Sequence, residues 1–178
     1  ILVLAHHQQD QAETVLLRLL SGAGIHGLTA MQGIDIREKF TIWRPLLALS
    51  RQQIELWAAE MQLRNIQDQT NFDTSYDRAW CRAELWPILE KRFPKMQQAL
   101  ARTSYLMQDA ETILADVLAQ DWASCGNASV LNLTSFRQLS APRQRQLLSA
   151  WMKGEDLYRP AFDMVQRLFD EVIESKVD

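Results

Sequence analysis

The chain has 178 residues, of which 47% are hydrophobic and 23% charged, and these proportions indicate one or two folded domains and exclude a disordered protein. No apolar run approaches the roughly 18 residues of a membrane span, and no basic segment precedes the apolar start as it would in a signal peptide, so we expect no membrane partner. The net charge of −3 excludes bulk attraction to nucleic acid, so such a partner needs a local basic surface.

The apolar run ILVLA at residues 1–5 predicts a strand buried on both faces, as in the middle of a parallel sheet. His6 and His7 end this strand, and Asp10 is the predicted N-cap of a helix that continues to about Leu20. Because neighbours for such a strand are not obvious in the residues that follow, we expect the sequence to be a fragment whose upstream segment is missing.

Residues 21–33 are predicted as loop and turn, and the run FTIWRPLL from Phe40 predicts a second short strand that ends at Pro45. Ser50 is the predicted N-cap of the next helix. The polar run at residues 66–77 is the longest loop signal in the chain.

The remaining sequence is predicted to be helical almost to its end. Pro87 and Pro94 are expected to break the first helical segment, and a long helix is predicted from about Met96 to Ser124. Two further helices with serine N-caps complete the chain: 143–152 and 162–175, with Ser135 and Ser140 as the caps. The change of pattern predicts two domains, 1–100 with mixed α/β structure and 101–178 with helices alone.

Two cysteines, Cys81 and Cys125, are too far apart for a redox pair or half of a zinc site, and they predict a reducing cytoplasm. No metal-ligand cluster is predicted from the residues.

The densest polar group is HHQQDQAET at residues 6–14, where the first strand meets the first helix. Ligands bind outside the carboxyl ends of strands in open parallel sheets, which makes this group a candidate site. Asp10 and Glu13 are three positions apart, so they share a helix face and can hold a substrate ammonium or a metal-bound phosphate. Acidic residues in a first helical turn also commonly serve only as caps, and the spacing leaves both interpretations open. His6 and His7 point to opposite faces, so one of them is expected to reach a ligand.

Residues 78–102 contain six basic and two acidic residues, whereas the last 24 residues contain seven acidic and three basic ones. The basic stretch fits an RNA-backbone surface or an ordinary solvated helix surface, and both interpretations stay open. The candidate RNA contacts are Arg82, Lys91, Arg92 and Lys95.

Four segments in chain order resemble the N-terminal domain of the tRNA(Ile)-lysidine synthase family: HHQQDQAETVLLRLL, SGAGIHGL, WRPLL and DQTNFDTSYDRAWCR. These motifs cover residues 6–102, and residues from about 103 to 178 resemble the family's helical substrate-binding domain more loosely. The resemblance implies an α/β fold. Its first part is the C-terminal part of an adenine-nucleotide alpha-hydrolase-like, Rossmann-like parallel-sheet domain, and an all-helical domain that binds tRNA follows.

The activity implied by the resemblance is that of an N-type ATP pyrophosphatase, a ligase that forms a C–N bond. With ATP and Mg²⁺ it adenylates C2 of the wobble cytidine in tRNA(Ile) with a CAU anticodon, and L-lysine then displaces AMP to form lysidine. A homodimer is one expected assembly. The family's SGGxDS phosphate-binding loop does not occur in this sequence, so the fragment alone is expected to be inactive.

Residue roles follow from the same resemblance. His6, Asp10 and Glu13 match the family's active-site motif, in which the two carboxylates are the implied holders of the lysine ammonium. Arg78 and Arg82 match a motif near the phosphates and lysine, and their i, i+4 spacing puts them on one helix face. Two alternatives remain: a related pyrophosphatase that thiolates tRNA, disfavoured because Cys81 and Cys125 form no pair, and a non-catalytic helical module that binds tRNA or protein.

Overall fold

The computed structural model of the chain describes residues 1–64, 73–127, 129–154 and 159–173. These residues form two compact units, Ile1–Glu111 and Thr112–Asp178, and the division falls within the longest helix. The predicted polar loop lies outside the described residues from position 66 to 72.

A small mixed sheet belongs to the first unit. Its strands are β1 (Leu2–Val3), β2 (Ile34–Ile36) and β3 (Thr41–Trp43), in the spatial order β1-β3-β2. Strands β1 and β3 are parallel, with Leu2 opposite Ile42, whereas β2 and β3 are antiparallel. The expected parallel pairing is therefore present, but the sheet as a whole is mixed because the unpredicted strand β2 joins it in the opposite direction.

The prediction that β1 is buried on both faces is wrong for the described residues. Leu2 is 48% exposed and Val3 is 56% exposed. Leu2 and Val3 point to opposite faces of the strand, so the described residues leave both faces of β1 incompletely covered.

The helices of the described residues agree with the sequence pattern in their main features. In chain order they are α1 (Gln8–Leu20), α2 (Ile25–Leu28), α3 (Arg51–Glu60), α4 (Asp77–Trp80), α5 (Trp86–Arg92), α6 (Met96–Cys125), α7 (Leu133–Phe136), α8 (Ala141–Lys153) and α9 (Phe162–Leu168). Ser50 caps α3 as predicted and accepts a hydrogen bond from the Gln53 N–H. Ser140 is the N-cap residue of α8, but Ser135 lies inside α7, whose cap is Asn132.

The first helix begins earlier than predicted. His7 is the N-cap residue of α1 and Asp10 occupies the third helical position, from which its Oδ2 accepts the His7 N–H at 3.0 Å. Asp10 therefore still satisfies a free N–H at the helix start, through the reciprocal half of a capping box.

Pro87 does not break the helical segment as predicted. A π-helical turn, Cys81–Leu85, connects α4 to α5, and Pro87 follows near the start of α5. A proline ring clashes with the preceding turn and lacks an N–H, and the wider turn before it accommodates both constraints. The chain is therefore helical from Asp77 to Arg92, and the predicted break at Pro94 is present between α5 and α6.

The core of the first unit lies between α1, the π-turn and the start of α6, with Ala12, Cys81, Trp86 and Met96 as its buried members. The side chain of Gln11 fixes α1 to its neighbours. Its Nε2 donates to the carbonyl of Met31 at 2.8 Å and to Oγ of Ser104 at 2.9 Å, and its Oε1 accepts the Met31 N–H. This motif glutamine is buried and structural.

The described residues of the second unit form helices and an isolated bridge between Gly126 and Leu131. Its core consists of residues from α6, α7, α8, α9 and the π-helical turn Phe169–Ile173 that follows α9: Cys125, Phe136, Leu147, Leu148, Val165 and Phe169. Asp121 is 1% exposed, and two guanidinium nitrogens of Arg143 bind its carboxylate. This ion pair compensates a charge that would otherwise be buried alone.

Among the described residues, no helix combines the length and apolarity that a membrane crossing requires. Cys81 and Cys125 are both free and buried.

Candidate active site

The candidate site lies in the first unit, at the connection between β1 and α1. His6 and His7 occupy the connection, Asp10, Glu13 and Thr14 follow within the first two turns of α1, and the helical segment that starts with α4 faces them. The structure therefore brings the predicted carboxylates and arginines into one cluster, although 64 to 72 positions separate the contacting residues.

Arg82 is bound by both carboxylates. Its Nε donates to Oε1 of Glu13 at 2.6 Å, and its Nη2 donates to Oδ1 of Asp10 at 2.8 Å. The hydrogen bond to Glu13 raises the pKa of Arg82 above its ordinary value, and the negative charge of Asp10 also raises it. Desolvation of the guanidinium lowers the pKa and opposes both effects. Arg82 is thus a fixed cation that both carboxylates share and that compensates half of their charge.

Arg78 is held more loosely. Its Nη2 donates to Oγ1 of Thr14 at 2.9 Å, and its Nε lies 3.8 Å from Oε2 of Glu13. The side chain is 42% exposed, compared with 28% for Arg82. Arg78 therefore presents more of a charged guanidinium to solvent than its neighbour one turn away.

Glu13 is the most buried member of the cluster, with 0% of its side chain exposed. Its Oε1 accepts from Arg82 and from Nε2 of Gln9 at 3.0 Å, whereas its Oε2 is buried without a hydrogen bond. A buried carboxylate oxygen with spare acceptor capacity is costly to leave unpaired, which makes Oε2 a candidate position for a donor.

His6 has an environment that favours the neutral imidazole. Burial is the largest cause and lowers the pKa of His6 below its ordinary value of 6.5; the charge of Asp10 opposes this shift. The positive charges of Arg44 and Arg78 lower the pKa further. A neutral imidazole at the carboxyl end of β1 can accept a proton at neutral pH. His7, in contrast, serves the helix start through its backbone N–H.

The thiol of Cys81 lies in the same cluster but has the properties of a core residue. Burial raises the pKa of Cys81 above its ordinary value, and the negative charge of Glu13 raises it further. The positive charges of Arg82 and Arg78 oppose this shift. A buried thiol that keeps its proton is a poor nucleophile.

The other predicted RNA contacts lie at the end of α5 and just after it. Lys91, Arg92 and Lys95 are exposed, and the Arg92 guanidinium lies 5.7 Å from the centre of the Phe93 ring. Arg92 and Lys95 also border a largely apolar groove of about 620 Å³. Arg82 has a different environment, because its guanidinium is hydrogen-bonded to two buried carboxylates. The RNA hypothesis therefore depends on the other three cations.

The same residues offer poor ligands for a metal ion. Within the described part of the chain, no group of three or more His, Cys, Asp or Glu side chains is arranged to hold a metal ion. Arg82 occupies both carboxylates of the acidic pair. The described residues therefore do not fit a resident Mg²⁺.

Sequence reasoning missed two residues of this cluster, Thr14 and Arg44. Thr14 lies in the same motif as Asp10 and Glu13, but its role depends on Arg78, which no local pattern indicates. Arg44 directly follows β3, and the rule that ligands bind at the carboxyl ends of parallel strands was the signal that could have found it.

Two family models match the chain. Residues 1–89 match the family model of the PP-loop domain, and residues 131–178 match that of the TilS substrate binding domain. The chain therefore belongs to the PP-loop family, whose domain accounts for the α/β part with the candidate site.

The similar curated proteins carry a more specific name. The tRNA(Ile)-lysidine synthase of Acinetobacter baylyi is 61% identical over 178 residues, which are 100% of this chain and 39% of that protein. The tRNA(Ile)-lysidine synthase of Actinobacillus pleuropneumoniae serotype 3 is 37% identical over 180 residues, covering 100% of this chain and 43% of that protein. The chain thus spans about two fifths of the length of these relatives.

Proposed function

We propose that this protein is an ATP-dependent tRNA-modifying ligase that forms lysidine. In the first step, the C2 oxygen of the wobble cytidine attacks the α-phosphate of ATP and pyrophosphate leaves. In the second step, the ε-amine of lysine attacks C2, AMP leaves with the oxygen, and the amine loses a proton. The observation that carries the proposal is the cluster of two carboxylates and two arginines beside His6 in a PP-loop chain.

The residues of the cluster have distinct roles in this proposal. Arg78, the more exposed arginine, binds an anionic group of the substrate, where developing phosphate charge needs a positioned cation. Asp10 and Glu13 orient the lysine ammonium, with Oε2 of Glu13 as its acceptor. His6, kept neutral by burial, accepts the proton that the ammonium loses to become the attacking amine, and the second proton, released after the C–N bond forms, passes to solvent. ATP supplies the adenylate group, and Mg²⁺ is proposed to arrive with the nucleotide.

The partners in the proposal are tRNA(Ile) with a CAU anticodon and L-lysine. A pyrophosphatase domain at residues 1–100, a tRNA-binding domain at 101–178, a cytoplasmic location and a homodimer remain predictions. Thiolation of tRNA is the less favoured alternative, since the protonated and buried Cys81 is a poor nucleophile and Cys125 forms no pair with it.

Lysine incorporation tests the proposal directly. The intact protein, incubated with ATP, labelled lysine and a tRNA(Ile) transcript with a CAU anticodon, is expected to transfer label to the tRNA and release AMP and pyrophosphate. The matched control is the same transcript with uridine in place of the wobble cytidine, which is expected to stay unlabelled. Absence of label on the CAU transcript, or ATP-dependent transfer of sulfur instead, would overturn the proposal.

A further prediction concerns the basic residues near α5. Replacing Arg92 and Lys95 with glutamine is expected to weaken tRNA binding and to reduce the salt dependence of log K by about one unit of slope per lost phosphate contact. Filter binding at several salt concentrations measures both quantities. Lys39→Gln, which removes an exposed positive charge from the loop between β2 and β3, is the control. A slope that is the same in wild type and the double variant would show that these cations are an ordinary solvated surface.

A further inference from the structure

Thr14 links two elements of the candidate site through one hydroxyl group. Its Oγ1 donates to the carbonyl of Asp10 at 2.7 Å and accepts the Nη2 hydrogen of Arg78 at 2.9 Å. The residue is 8% exposed, so water competes little for either bond. Since the single hydroxyl proton is used within α1, the group presents only lone pairs toward Arg78. The direction of both hydrogen bonds is therefore fixed.

This contact distinguishes the two arginines of the site. Arg82 is neutralised by two carboxylates at hydrogen-bond distance, whereas the close partner of Arg78 is a neutral oxygen. A neutral acceptor fixes a guanidinium without cancelling its charge. Arg78 thus keeps its orientation, and its charge is less compensated than that of Arg82, because its Nε lies 3.8 Å from Oε2 of Glu13 whereas Arg82 contacts two carboxylates at 2.6 and 2.8 Å.

We infer that Thr14 is a positioning residue that aims the Arg78 guanidinium at a phosphate group of the substrate. The inference rests on the proposed function, in which Arg78 binds that anion, and it adds the residue that orients it. A long arginine side chain that is 42% exposed loses considerable rotamer freedom when it is fixed, and the Thr14 oxygen supplies the partner that fixes it.

Two substitutions test this role in the intact protein. Thr14→Val keeps the branched shape but removes the oxygen, and it is expected to weaken binding of inorganic pyrophosphate about tenfold, the size expected for one hydrogen bond to a charged group. Thr14→Ser keeps the oxygen and is expected to restore affinity to within about twofold of wild type. Isothermal titration with pyrophosphate measures binding, and the kcat and KM for ATP are measured in pyrophosphate exchange.

A double-mutant cycle with Arg78→Gln separates positioning from general stability. If Thr14 acts through Arg78, Thr14→Val has almost no further effect on pyrophosphate affinity once Arg78 is replaced. A tenfold loss that persists in the Arg78→Gln background would overturn the inference, as would wild-type affinity in Thr14→Val. A Thr14→Ser variant as weak as Thr14→Val would also contradict it, because the oxygen would then not be the active feature.

The failure of this inference is distinguishable from failure of the proposed function. If wild type incorporates no lysine, the proposed function is wrong, but pyrophosphate titration of the four proteins in the cycle still tests the Thr14–Arg78 coupling. If wild type forms lysidine and Thr14→Val does so with unchanged kcat and KM, the inference alone is wrong.

Discussion

Replacing Glu13 with glutamine is expected to lower the kcat/KM for lysine of the intact protein by about ten- to a hundredfold, with tRNA binding retained. The side chain is fully buried, and Oε2 accepts no hydrogen bond from the protein. Glutamine preserves the shape but removes the charge, and a hydrogen bond between charged groups is worth about 1.5–3 kcal/mol. The neutral amide also has one acceptor oxygen instead of two, so it cannot serve Arg82 and an ammonium equally.

Lysine incorporation at varied lysine concentration measures this effect, with melting temperature and tRNA affinity recorded in parallel. Glu84→Gln is the matched control, because Glu84 is an exposed carboxylate in the π-turn that carries Arg82. Asp10→Asn gives a second comparison, since asparagine can still accept the His7 N–H at the helix start. Normal lysine kinetics in Glu13→Gln and Asp10→Asn would mean that the acidic pair only stabilises the first unit.

Replacing Arg82 with glutamine is expected to lower the free energy of unfolding by about 3–5 kcal/mol, the range for breaking a buried ion pair from one side. Arg82 is the hydrogen-bonded cation of two carboxylates that are almost inaccessible to solvent. Without it, the positive neighbour that Glu13 keeps among the described residues is the more distant Arg78. Desolvation of the carboxylates is then uncompensated, whichever role they have in catalysis.

Urea denaturation followed by circular dichroism measures the loss. Arg102→Gln removes an exposed cation from α6 and is expected to change stability by less than about 0.5 kcal/mol. The double variant Glu13→Gln with Arg82→Gln is expected to be less destabilised than the sum of the two single variants, because each substitution removes the same contact. A change below about 1 kcal/mol in Arg82→Gln, or additive losses in the double variant, would show that the pair contributes little.

Local sequence patterns predicted the features that depend on one element at a time. The three-residue spacing of Asp10 and Glu13 predicted a shared helix face, and both side chains indeed contact the same guanidinium. The long helix was predicted from about Met96 to Ser124 and extends from Met96 to Cys125. Helical periodicity and capping chemistry are properties of neighbouring residues, so the sequence contains them directly.

The sequence-based predictions were wrong where the surrounding structure overrode a rule based on residue type. Pro87 was expected to end a helix, but the preceding π-turn gives its ring room and the chain stays helical through Arg92. The apolar run of β1 predicted burial on both faces, yet Leu2 and Val3 are each about half exposed among the described residues. Residue types indicate what an element tends to bury, whereas its neighbours decide what is covered.

The sequence by itself therefore determined the acidic pair, its position at the start of α1, the arginine spacing and the resemblance to the tRNA(Ile)-lysidine synthase family. Only the tertiary structure decided that Arg82 binds both carboxylates while Thr14 holds Arg78 with a neutral oxygen. These contacts join α1 to a segment 64 to 72 positions away, and they exist because the two helices pack around Cys81 and Ala12. How strongly each arginine is compensated depends on the acceptor atoms within 3 Å of it. Helix packing places those atoms, and the spacing of residues within a single helix does not determine them.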